Sequence, residues 1–89
     1  MVHNTRAYHQ ELMWVQQVAG RRGRGGDRCH IGNVIDNPIV DFCKMANSLG
    51  VYAEKAVTDP ADLAAVFQRA VAVVKRGQPA LVDVVSQGR

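Results

Sequence analysis

The chain has 89 residues, 47% of them hydrophobic and 21% charged, enough for one small domain with one modest core. No apolar run approaches the roughly 20 residues that span a bilayer, and no basic stretch leading into an apolar core marks a secretory leader. Two cysteines, Cys29 and Cys43, make no disulfide framework and read as reduced thiols of a cytoplasmic protein.

The formal net charge of +3 comes from one place: Arg21, Arg22, Arg24 and Arg28 outweigh Asp27, and the rest of the chain is balanced. A nucleic-acid surface spreads its basic residues along a face, so a surplus confined to one loop predicts no nucleic-acid partner. The segment Arg21-Arg22-Gly23-Arg24-Gly25-Gly26 resembles an RNA-binding Arg-Gly tract, but it occurs once and the sequence gives it no aromatic neighbour. It follows a helical pattern and lacks a Gly-Lys-Ser/Thr ending, so it is no phosphate-binding loop of the P-loop kind.

In chain order, Met1 to His3 reads as the end of a strand, and Tyr8 to Ala19 as a helix with Tyr8, Leu12, Val15, Val18 and Ala19 as its buried stripe. Met13 and Trp14 fall off that stripe, which suggests either a second contact surface or a wide core face. Gly20 is placed to end the helix. Residues 21–37 follow as a long irregular segment of the kind that is usually functional or mobile.

Asp41 is a candidate N-cap for a helix whose apolar face is Phe42, Met45, Ala46 and Leu49, closed by Gly50. Residues 51–53 read as a short strand. Asp59 and Pro60 open the next helix, with Leu63, Val66, Phe67, Ala70, Val71 and Val74 as its stripe and Lys75 and Arg76 at the negative end of its dipole. Gly77 and Pro79 stop it. Residues 80–85 are continuously apolar except for Asp83, the pattern of a parallel strand covered on both faces. The predicted fold class is α/β: a partial three-layer unit with a parallel sheet in the order β-α-loop-α-β-α-β.

The polar stretch Asn4-Thr5-Arg6-Ala7-Tyr8-His9-Gln10-Glu11 lies between the first strand and the first helix, where parallel sheets carry ligands. It resembles the end of the thiamine-diphosphate motif, Gly-Asp-Gly followed at a distance by Asn-Asn. It is similar to the form Asn-Asn-Arg-Ala-Tyr-His-Gln-Glu of the acetolactate synthase and benzoylformate decarboxylase-like branch. The segments 41–51 and 79–85 resemble the downstream helix-strand and closing strand of the same domain. The resemblance implies that residues 1–89 correspond to the C-terminal half of a thiamine-diphosphate-binding domain, with the Gly-Asp-Gly half expected upstream. It places the irregular segment near the active-site entrance.

The resemblance also implies a site. Magnesium, which takes hard oxygen ligands, would be held by the side-chain oxygen at Thr5 and the backbone carbonyl of Ala7, with Asn4 and Tyr8 facing the cofactor. Thr5 departs from the family's second asparagine, and the aspartate ligand has no counterpart, so weak or no binding of thiamine diphosphate and Mg2+ is expected of the chain alone. Glu11 matches the region of a glutamate that handles protons at the substrate carbon; as a first-turn acid it is equally explained by the helix dipole. The remaining expectations are C–C bond chemistry next to a carbonyl in the intact relatives, and a homo-oligomer or a complementing chain as partner. The alternatives are a non-catalytic interaction module or the remnant of a truncated gene.

Overall fold

The computed structural model describes residues 1–87. It divides into two compact units: residues 1–4 together with 41–86, and a second built on residues 5–40. Among the described residues no helix is long and apolar enough to cross a membrane. The elements run β1 (Val2–Asn4), α1 (His9–Arg21), α2 (Phe42–Ser48), β2 (Tyr52–Ala53), α3 (Pro60–Lys75), β3 (Ala80–Leu81) and β4 (Asp83–Val85). Helices alternating with parallel strands confirm a partial α/β fold.

The first unit is organised by α3. Asp59 caps it, its carboxylate accepting from the Ala61 N–H at 2.9 Å, and Pro60 occupies the first turn, where a missing N–H costs nothing. Val66, Ala70 and Val73, at i, i+4 and i+7, are its buried residues. Val66 and Ala70 join Val57 and Val82 in the core, with Leu63, Phe67, Ala80 and Val84 packed around them. Each buried valine contributes about 1.5–3 kcal/mol. The expected stripe is corrected at its end: Val71 and Val74 are exposed and Val73 faces inward. Residues 70–74 are all apolar, so periodicity alone could not fix the phase of the last turns.

Helix α2 behaves similarly. Asp41 caps it as expected, accepting from the Lys44 N–H at 2.9 Å, and that bond first of all holds the Asp41 carboxyl below its usual range. Its buried residues, however, are Cys43 and Ala46, whereas Met45 and Leu49 point outward. The expected face missed Cys43 because a thiol packs as a small hydrophobe. Burial, then the negative charge of Asp83, pushes the Cys43 thiol above its ordinary value.

The apolar run 80–85 is two strands rather than one. β2 pairs with β3 in parallel, Tyr52 opposite Ala80, while β1 pairs with β4 in parallel, Val2 opposite Asp83 and Asn4 opposite Val85. Val82 lies between the two pairings and is buried. A parallel bridge, Val57 to Val84, adds a further contact beside β4.

At the surface of this unit Arg69 grips Glu54 through two bonds, Nε at 2.7 Å and Nη2 at 2.8 Å, and the Tyr52 hydroxyl donates to the same carboxylate. The Arg69 bonds, then the Tyr52 bond, hold the Glu54 carboxyl at about 2 instead of 4.5. An unfolded Glu54 takes up its proton near 4.5, so the stabilisation is complete above that pH and is lost as pH falls toward 2. Solvent screens a pair whose arginine is half exposed, and its contribution to stability is small. Thermal melts of the parent and Glu54→Gln are therefore expected to differ by a few degrees at pH 6 and to converge near pH 2. A difference that persists at pH 2 would assign the effect to packing.

The second unit contains α1 and the segment that follows. The helix continues through Gly20 to Arg21, and Arg22 caps it. A helix tolerates an internal glycine at a cost of about 1 kcal/mol, and here the left-handed turn falls to Gly23, at φ 62°. The Gly23 N–H donates to the Gly20 carbonyl and the Arg24 N–H to that of Ala19. None of the residues of α1 is buried; the expected inward stripe is corrected at Tyr8 and Val15, both exposed. The segment after it is a series of turns around the buried Cys29, whose carbonyl accepts from Asn33 Nδ2 at 2.9 Å.

Candidate functional site

Of the residues expected to hold a ligand, Asn4 belongs to the first unit and Thr5, Ala7, Tyr8 and Glu11 to the second. In the first, Asn4 ends β1 and is buried. Its backbone carbonyl accepts from the Ser86 N–H at 3.0 Å. Its side-chain Nδ2 donates to Asp83 Oδ2 at 3.3 Å. Asp83, only 2% exposed, is the most deeply buried polar residue described, and its second oxygen, Oδ1, has no hydrogen-bond partner among the described residues. A carboxylate can only accept, so it fixes the orientation of the Asn4 carboxamide: the NH2 faces Asp83.

In the second unit the chain bends sharply at residues 5–8. Arg6 has a φ of 55°, in the left-handed region, a conformation costing an arginine about 1 kcal/mol or more. The bend is held by an antiparallel bridge between Ala7 and Val34. Ile35 N–H donates to the Arg6 carbonyl and Tyr8 N–H to the Asn33 carbonyl, both at 2.7 Å. Residues 33–35 thus brace the elbow, a role that nothing in the sequence signalled.

The left-handed Arg6 brings Thr5 Oγ1 to 2.9 Å from the Ala7 carbonyl oxygen, to which it donates. Magnesium binds oxygens at about 2.0–2.1 Å in an octahedron, so two ligands at right angles lie about 2.8–3.0 Å apart. The two oxygens have the spacing of one octahedron edge. With the hydroxyl proton turned outward, both would offer lone pairs to a cation. The same spacing is that of the hydrogen bond the two oxygens share, so they match two adjacent corners of a magnesium shell only with that bond broken. Among the described residues no group of three His, Cys, Asp or Glu side chains could hold a metal by itself. Tyr8, at the N-cap of α1, is exposed, as is Glu11 in the first turn.

Asp83 was visible as the single charge in an apolar run, a pattern that marks a buried polar group with a dedicated partner. Its pairing with Asn4, 79 residues away, needed the fold.

Parallel strands alternating with helices, and a strained polar elbow directly after the first strand, define the class of α/β domains that take ligands at the carboxyl ends of their strands. The model of one such family, the thiamine pyrophosphate enzyme C-terminal TPP binding domain, matches residues 1–84, and the chain belongs to that family. No curated protein and no solved structure matches it.

Proposed function

We propose that this chain supplies the elbow side of a thiamine diphosphate–magnesium site, in an enzyme of the acetolactate synthase or benzoylformate decarboxylase-like type that makes or breaks C–C bonds next to a carbonyl. The observation that carries the reading is the Thr5 Oγ1 to Ala7 oxygen spacing of 2.9 Å behind a left-handed Arg6. When bound, thiamine diphosphate supplies a carbanion that accepts and releases the carbonyl carbon, while the protein binds and orients.

In this reading Thr5 and the Ala7 carbonyl hold the cation that neutralises the diphosphate. Asn4, its carboxamide oriented by Asp83, and Tyr8 stand on the cofactor side. Glu11 would be the proton-handling acid in the assembled site; its exposed first-turn position is also the one a helix dipole favours for any acid, and the reading does not rest on it. The aspartate that completes the magnesium shell in the family must come from another segment or chain.

Calorimetric titration tests this directly. Weak, saturable heat on adding thiamine diphosphate is expected only with Mg2+ present. Thr5→Val is expected to abolish it, and Thr5→Asn, which restores the family's residue, to tighten binding about tenfold, the lower end of what metal-site substitutions do. Absence of magnesium-dependent heat in both the parent and Thr5→Asn would overturn the assignment.

A further inference from the structure

The residues just past the carboxyl end of β2 and the first half of α3 line a cavity of about 270 Å3 within the first unit. Parallel sheets carry ligands outside the carboxyl ends of their strands, and this cavity shares no residue with the elbow at Thr5 and Ala7. Its volume lies below the roughly 300–1,000 Å3 typical of sites for drug-sized molecules, so it suits a smaller ligand.

The charges of the lining select the chemistry. Glu54, Lys55, Asp62 and Arg69 are its ionic members. Glu54 and Arg69 neutralise each other: Nε and Nη2 of the guanidinium donate to the two carboxylate oxygens at 2.7 and 2.8 Å, and the Tyr52 hydroxyl donates to the same carboxylate. One cation, Lys55, and one anion, Asp62, remain. Both are exposed, and among the described residues neither is in an ion pair, with each other or with a third group. The rest of the lining is largely apolar, with Ala56 and Ala65 beside Val57 and Val66 of the core. A simple anion or cation would meet one free charge and be repelled by the other. A molecule with a carboxylate, an ammonium and a short aliphatic group answers all three features.

We propose that this cavity binds a small aliphatic α-amino acid, its carboxylate on Lys55, its ammonium on Asp62 and its side chain against the alanines and valines. The bidentate Glu54–Arg69 pair stiffens the wall, holding two planar groups in one geometry, and a pre-set wall spares the ligand the cost of ordering it. Water screens the contacts to the exposed Lys55 and Asp62, so the dissociation constant should be about millimolar. The inference uses no property of the cofactor site and stands or falls apart from it.

Titration of the full chain with L-norvaline, followed through backbone amide NMR shifts, tests it. Saturable shifts confined to the cavity-lining segment, residues 54–69, are expected. Pentanoate, which lacks the ammonium, and butylamine, which lacks the carboxylate, should each bind about three- to fivefold more weakly, the scale of one exposed charge contact. Asp62→Asn should weaken norvaline by the same factor and bring it level with pentanoate. Lys55→Gln should bring it level with butylamine. Both variants should keep the parent's cooperative melt, since Asp59 rather than Asp62 caps α3. Shifts that do not saturate, equal affinity of the parent for all three compounds, or an unchanged norvaline affinity in either variant would overturn the proposal.

Discussion

Val82→Asp is expected to unfold the first unit outright. Val82 is 6% exposed and touches the cluster of Val57, Val66 and Ala70 that α3 lays over the strands. A carboxylate there would meet no donor in that cluster, and an unpaired buried charge costs several kcal/mol, a large share of the 5–15 kcal/mol that holds a typical domain together. Loss of the cooperative thermal transition by circular dichroism is the measurement. Val82→Ala removes two carbons and should cost only about 2 kcal/mol while leaving that transition in place. A cooperative melt of unchanged midpoint in Val82→Asp would show that the strands are not packed beneath α3 as described.

The second large effect concerns Asn4 and Asp83. Asn4→Leu strips a side-chain donor from a carboxylate that is 2% exposed and whose other oxygen is unmatched among the described residues. The cost should be about 3 kcal/mol, at the upper end for a buried polar group left without its partner. Asp83→Leu removes the acceptor of the Asn4 Nδ2 bond and should cost about 2 kcal/mol. Replacing both by leucine removes the two polar groups together, so the double variant should be less destabilised than Asn4→Leu alone. Denaturant midpoints of the four proteins form a cycle that measures the coupling. Additive losses would mean that the 3.3 Å contact carries no energy.

Much of the first unit was legible from local chemistry. Asp41 and Asp59 have short side chains placed to accept from the first turn of a helix, and both cap as read. Pro60 opens α3 as its fixed φ and missing N–H allow, and Gly50 and Gly77 punctuate as their backbone freedom dictates, at φ 76° and 80°. What was not legible depended on tertiary choice. An all-apolar stretch such as residues 70–74 carries no phase, so only the core decided that Val73 turns inward. A continuous apolar run does not say where a strand changes neighbours, and the switch at Val82 was invisible. At the site, the identity of Thr5 and Ala7 followed from resemblance. Their 2.9 Å spacing depends on a left-handed Arg6, and nothing about an arginine in sequence announces that conformation.

The pairing of β1 with β4 joins residues near opposite ends of the chain, as the Asn4–Asp83 contact, 79 positions apart, makes plain. Closing so large a ring is entropically slow. During synthesis β1 is made before β4 and must wait for it until every element between the two has been made. Pairing of β1 with β4 is therefore a late event, and β1 finds its place after the helices that separate the two strands have been made.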